Sequence, residues 1–193
     1  MTQPVRYIDD YLSPVAATSA FNVLSTELNW ERRESAPRSE YWINTLNRPY
    51  TYGRGAGERT YEHHPSHPLI DNIRNDLIQW HERTGKFNKP QFEGCFLNMY
   101  TGGKGWLGWH ADDDPSIDHS NPIIVITLGS PRRLEWKKIG SKGTEAINGQ
   151  MLGNGSMLVM YPGMQSRFFH RIPKAHELDE SHARISLTFR CLL

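Results

Sequence analysis

The chain has 193 residues, a formal net charge of +1, and 37% hydrophobic, 22% charged and 11% aromatic residues. That composition excludes a disordered tail, and the length supports a core with no disulfide or structural metal to staple it. No stretch approaches the roughly 18 consecutive apolar residues of a membrane span, and MTQPVRYIDDYLSP lacks the apolar run of a secretory signal.

Cys95 and Cys191 each lie in an apolar run, the pattern of two buried thiols in a reducing compartment. The expectation is a protein with no membrane segment, cytoplasmic in a bacterial or viral setting, with the nucleus the alternative in a eukaryotic one. The basic groups Arg32-Arg33, Arg132-Arg133, Lys137-Lys138-Lys142 and Arg167-Arg171-Lys174 read as solvated faces unless a binding site gathers them.

In chain order, Ser13-Pro14 is an N-cap followed by proline at the first helical position, and Ala17, Phe21, Leu24 and Leu28 recur at helical spacing. PRSEYW (37–42) and RPYTYGRGAG (48–57) mix aromatics with turn formers and arginines, and read as loops and hairpin edges. Pro68 opens a second helix with an apolar stripe of Leu69, Ile73, Leu77 and Trp80, ending at Gly85. HHPSH (63–67) precedes that helix with proline inside it, so it reads as a surface loop rather than a metal cluster.

From residue 93 the texture changes to short apolar runs between turns: CFLNMY, NPIIVITLG, RRLEWKKIG, GSMLVMYPG, RFFHRIP and ARISLTFRCLL. Many short strands at regular spacing predict an α+β fold, a double-stranded β-helix or jelly roll with helices packed on one side. No linker or repeat divides the chain. Residues 1–193 are therefore expected as one domain, with helices and substrate-recognition loops or hairpins in 1–92 and the jelly-roll core in 93–193.

The chemistry concentrates in WHADDDPS (109–116). In an extended segment His110 and Asp112 project to the same side, so they can share one ion; a solvated acidic turn is the competing reading. A facial triad of two histidines and one carboxylate leaves positions open on an octahedral iron, and it needs a second histidine. His170, in the apolar run RFFHRIP, is the best candidate, although by itself it reads more readily as a hydrogen-bonded core histidine.

In RISLTFR (184–190), alternation puts Ile185, Leu187 and Phe189 on one face and Arg184, Ser186, Thr188 and Arg190 on the other. Two buried guanidiniums need anions, and a dicarboxylate satisfies them through bidentate contacts. In CFLNMY the same alternation sends Asn98 and Tyr100 to one side as neutral donors toward such an acid.

The set NMY (98–100), WHADDD (109–114), HRIP (170–173) and RISLTFR, with YIDDYLSP, PRSEYW and RPYTYG before it, resembles the AlkB-type Fe(II)- and 2-oxoglutarate-dependent dioxygenases, in particular their nucleic-acid demethylase branch. The resemblance implies that His110, Asp112 and His170 bind iron and form the catalytic centre. It also implies that Asn98, Tyr100, Arg184, Ser186 and Arg190 hold 2-oxoglutarate. Arg184 would meet the distal carboxylate and Arg190 the keto-acid end. The family usually has asparagine where Ser186 stands, so a shorter side chain faces the co-substrate here.

RPYTYG resembles the segment lining the flipped-base pocket, which makes Tyr52 the residue to stack on a target base, with Tyr50 beside it; read alone, both are ordinary strand aromatics. Asp114 falls on the side of His110 and Asp112 if the strand continues, and the matching family position contacts the base's exocyclic amine. Asp113 would point away.

The implied activity is oxidative demethylation of N-alkylated bases in DNA, with RNA as a second substrate, using Fe(II), 2-oxoglutarate and O2. A methylated ring nitrogen on the pairing edge is hidden in a duplex, so the base must be extruded. WERRESAPRS shows no apolar wedge, which favours single-stranded or locally melted nucleic acid, and a monomer is expected. Two other readings use the same residues: a hydroxylase or demethylase of a protein or small molecule on the same iron site, and a non-catalytic jelly-roll module that binds nucleic acid.

Overall fold

Alternation in the last strand organises the molecule. The computed structural model describes residues 3–34, 36–53, 58–84, 90–144 and 147–193. Its elements in chain order are β1 (Val5–Ile8), α1 (Pro14–Glu27), β2 (Ser39–Asn44), β3 (Tyr50–Tyr52), β4 (Arg59–Tyr61), α2 (Pro68–Thr84), β5 (Gly94–Thr101), β6 (Leu107–His110), β7 (Ile123–Gly129), β8 (Arg132–Lys138), β9 (Asn148–Leu152), β10 (Met157–Met160), β11 (Phe168–Ile172) and β12 (Ala183–Arg190). β12 lies inside a six-stranded antiparallel sheet of order β1-β10-β7-β12-β5-β2. A second sheet, β6-β11-β8-β9, faces it, and β3 and β4 form a separate hairpin. This is the expected jelly roll.

One face of the large sheet carries Ile185, Leu187 and Phe189 with Ile124, Ile126 and Leu97, packed under Ala17, Ala20 and Leu24 of α1 and Ile70, Ile73 and Leu77 of α2. Both helices therefore cover one side. The other face meets the small sheet through Val125, Leu158, Met160, Leu134, Trp136 and Ile172. Cutting one such leucine back to alanine costs about 2–5 kcal/mol. Cys95 and Cys191 are buried free thiols, and burial pushes both up to about 12. Among the described residues no helix is long and apolar enough to cross a membrane.

The α1 boundary follows its cap, with the Ser13 side chain accepting from the Ala16 amide at 3.3 Å. Two expectations change. PRSEYW is not loop: it forms most of β2, a strand buried along its whole length and paired with β5. Together with β1, it gives the large sheet both edge strands from the first 92 residues. The α2 stripe is rotated, with Ile70, Ile73, Arg74, Leu77 and His81 buried, while Leu69 and Trp80 are only partly so. Arg74 can sit on that face because its guanidinium pairs with Asp71 and donates to the Phe92 carbonyl at 3.0 Å. Gly85, the expected helix end, lies outside the described residues.

Candidate metal centre and its two chambers

His110 ends β6 and His170 sits in β11, directly opposite it in the antiparallel register. Their rings lie 4.1 Å apart between centroids. Asp112 follows the end of β6, and its backbone amide donates to Gln165 Oε1 at 3.0 Å, which fixes the turn. One ligand atom from each of His110, Asp112 and His170 lies within 4.8 Å of the others. Residues 60 positions apart along the chain thus meet at one point, as the facial-triad spacing requires.

Tautomer and charge suit a cation. His110 Nδ1 is 2.9 Å from the Gly108 carbonyl; a carbonyl only accepts, so that nitrogen carries the proton and Nε2 presents a lone pair, 3.8 Å from Asp112 Oδ1. Burial, and then His110 beside it, pulls His170 down to about 3; burial also lowers His110. Burial alone would raise Asp112, but Arg190, with the two imidazoles, outweighs it and holds the carboxyl at about 2. The centre is therefore two neutral imidazoles and one carboxylate at neutral pH, the protonation state a divalent ion needs.

Both folded-state values lie below the unfolded ones, so the unfolded chain binds more protons in acid and stability falls with pH. The metal-free protein is expected to weaken as pH drops from about 6.5 toward 3, at up to ~1.4 kcal/mol per pH unit for each group titrating differently. Denaturant unfolding at several pH values checks this. His170→Phe should flatten the slope, and an unchanged slope would mean that His170 is not buried neutral.

The centre stands between two chambers. The inner one is lined by Asn98, Tyr100, Arg184, Ser186, Thr188 and Arg190 on the polar side and by Val125, Leu134, Met160 and Ile172 on the apolar side. Arg184 is 1% exposed. Its Nη2 donates to Thr127 Oγ1 at 3.0 Å, and its guanidinium lies 5.3 Å from the centre of the Tyr100 ring. Burial pulls it down to about 10, so it stays charged at neutral pH. Arg190 Nη2 is 3.0 Å from Asp112 Oδ1.

Nε and Nη1 of both arginines have no hydrogen-bond partner among the described residues. Four orphaned donors of two buried guanidiniums fit an acid with more than one carboxylate oxygen. Ser186 is buried opposite Asn98 and Thr127 in the strand registers. Asn98 commits its oxygen to Arg38 Nε at 2.7 Å, which leaves its amide NH2 for another acceptor.

The outer chamber is lined by Arg38, Tyr50, Tyr52 and Phe96 and shares Asn98, Leu107, His110, Asp112 and Arg190 with the inner one. Tyr52 stands edge-on to His110, with centroids 6.4 Å apart. Burial pushes its hydroxyl up to about 12, so it is a neutral phenol. Tyr50 is 4% exposed and packs against Trp42, Phe96 and Tyr61, so it supports Tyr52 rather than offering a free face.

Asp114 lines neither chamber. The strand stops at His110, so alternation does not carry past Asp112. Asp114 Oδ1 instead accepts from the Ser116 amide at 2.8 Å and its hydroxyl at 2.6 Å, capping the turn at Pro115. Asp113 is exposed, as expected. The HHPSH histidines are dispersed: His64 pairs with Glu31 at 2.7 Å, His67 with Glu27 at 3.2 Å, and His63 faces Asn44.

Arg38, Glu40 and Gln165 are site residues that the sequence did not reveal. Arg38 bridges Asn98 and the buried Glu40, whose other oxygen accepts from Tyr61 at 3.0 Å. The available signal was alternation in SEYWIN, with Tyr41 and Ile43 turned to the helices and Glu40 to the site.

This fold and donor set are those of an iron- and keto-acid-dependent oxygenase. The family model for the 2OG-Fe(II) oxygenase superfamily matches residues 4–190, and the chain belongs to that superfamily. Within it, the chain is 30% identical over 192 residues to alpha-ketoglutarate-dependent dioxygenase alkB homolog 3 of Bos taurus, covering 90% of this chain and 61% of the relative. It is 25% identical over 164 residues to DNA oxidative demethylase ALKBH2 of Mus musculus, covering 82% of this chain and 63% of that protein. The chain thus spans less than two thirds of the length of these curated relatives. The solved structure of OsALKBH1 matches with a TM-score of 0.64 over 99% of this chain and 98% of that one, at 13% identity, which shows a shared fold.

Proposed function

We propose that this chain is an Fe(II)- and 2-oxoglutarate-dependent oxidative demethylase of N-alkylated bases in DNA, with RNA as a second substrate. The observation that carries the proposal is the order of parts: orphaned guanidiniums, then the His110–Asp112–His170 centre, then an aromatic chamber. In this assignment His110, Asp112 and His170 hold iron. Arg184, Arg190, Asn98, Tyr100 and Ser186 hold 2-oxoglutarate in the inner chamber, where the arginines supply the positive charge. When bound, the iron couples oxidative decarboxylation of 2-oxoglutarate by O2 to oxidation of the N-methyl carbon, giving succinate, CO2, formaldehyde and the unmodified base.

The protein's own part is positioning. Tyr52 offers its ring to the base, Tyr50, Trp42 and Phe96 keep that ring in place, and Arg190 keeps Asp112 ionised. Asp114 is assigned to fixing the turn rather than to the base. Residues 1–193 work as one domain, a reading supported by the large sheet drawing strands from both halves of the chain.

Single-stranded or locally melted nucleic acid is the favoured substrate, because no large apolar side chain is exposed among the described residues of 30–38. A monomer in a reducing compartment suits exposed apolar residues spread over separate segments and two free thiols. Tyr50 and Tyr52 beside the metal centre favour a base over a protein or small-molecule substrate.

The test is formaldehyde release from oligonucleotides carrying one N-methylated adenine or cytosine, single- and double-stranded in parallel. The single strand is expected to turn over faster. Tyr52→Ala should raise KM by roughly 5- to 150-fold, the equivalent of about 1–3 kcal/mol of base stacking. Succinate release without formaldehyde on every oligonucleotide would move the substrate to another class.

A further inference from the structure

The turn between β5 and β6, residues 102–105, is held from several sides. A Cβ on Gly103 would sit 1.6 Å from the Ala175 carbonyl oxygen, so only glycine fits there. The Gly103 amide donates to Leu178 O, and its carbonyl accepts from Ala175 N, each at 3.0 Å. Arg132, 2% exposed, donates to Gly102 O at 3.1 Å, to Gly105 O at 2.8 Å and to Pro173 O at 2.6 Å. It forms no ion pair among the described residues, so this buried guanidinium serves to fix the turn.

That fixed turn presents an exposed Lys104 to a cleft also lined by Arg32, Ser39, Thr101 and Glu180. Arg38 lines both this cleft and the outer chamber, so the two are neighbours that share a wall. Arg38 itself is committed to Glu40 and Asn98. Arg32 and Lys104, in contrast, form no ion pair with a described residue. A cationic cleft beside an aromatic chamber suits a chain that carries a charge beside each base.

We propose that this cleft is a phosphodiester subsite, in which Arg32 and Lys104 hold the backbone phosphate next to the nucleotide whose base enters the outer chamber. The proposal rests on the nucleic-acid reading of the site. Phosphate contacts of this kind set register and affinity and leave base identity to the chamber. Glu180, on the same cleft, opposes the phosphate and limits affinity.

The test is fluorescence anisotropy of the metal-free protein with a labelled single-stranded oligonucleotide carrying one N-methylated base, across about 50–200 mM salt. Arg32→Ala and Lys104→Ala are each expected to weaken binding about 3- to 10-fold and to make the salt dependence shallower by about 0.7 in log–log slope. Lys104→Arg should retain binding and Glu180→Gln should tighten it. On an N-methylated nucleoside, which has no phosphate, kcat/KM should be unchanged in both alanine variants. Unchanged oligonucleotide binding, or an equal loss on the nucleoside, overturns the subsite; if formaldehyde release from the oligonucleotide persists, the functional reading survives that result. If binding depends on Arg32 and Lys104 but the iron-loaded protein releases no formaldehyde from the oligonucleotide, the subsite stands and the demethylase reading falls.

Discussion

Arg184→Met is expected to lower the affinity for 2-oxoglutarate by about 100-fold while leaving one metal ion bound per chain. Arg184 is 1% exposed, its Nη2 donates to Thr127, and its Nε and Nη1 have no hydrogen-bond partner among the described residues. Two charge-assisted bonds to a carboxylate contribute together about 3 kcal/mol, and ~1.4 kcal/mol is tenfold in affinity. Methionine keeps most of the volume against Tyr100, so loss of packing does not mimic the effect. The measurement is an anaerobic 2-oxoglutarate titration of the Mn(II)-loaded protein. A loss under about threefold would place the acid elsewhere, since one lost charged hydrogen bond already exceeds that.

The second large effect concerns stability. Asp112→Ala leaves Arg190, 6% exposed, without the carboxylate that stands 3.0 Å from it, with only Tyr50 and Phe96 ring faces nearby. Breaking a buried ion pair from one side costs about 3–5 kcal/mol. For a chain of this size that is roughly 6–20 °C in Tm. Replacing both partners, as Asp112→Leu with Arg190→Met, should recover most of the loss, because the desolvation of both charges disappears with them. Neither variant should bind metal. If Asp112→Ala melts with the wild type, the Arg190 pair is not what holds the carboxylate.

How much of this was legible in the sequence depended on whether the signal was local. The faces of β12 and β5 follow from period-two alternation in apolar runs, and the structure places Arg184, Ser186 and Arg190 opposite Ile185, Leu187 and Phe189 on those grounds. Strand β2 escaped because Arg38 precedes it and Glu40 interrupts it. Only the fold shows that these two charges neutralise one another and that Tyr61 completes the network.

The rotated stripe of α2 has the same cause, a buried Arg74 whose cost is offset by Asp71 and by a carbonyl 18 residues away. Gln165 could not be found as the support of Asp112, since 53 residues separate them and a lone glutamine carries no pattern. The alternation argument for Asp114 required a strand that continues, and the strand ends at His110. The Asx-type turn with Ser116 is a local signal, and D-P-S was there to be read.

The account depends most on His110, Asp112 and His170 acting as one ligand set. Anaerobic titration of Fe(II), or of Mn(II) as a redox-stable substitute, measures this directly. One ion per chain is expected for the wild type, with proton release where the histidines are partly protonated, and none for His170→Ala under the same conditions. Stoichiometric binding that survives His170→Ala, or no binding by the wild type, would contradict the shared centre.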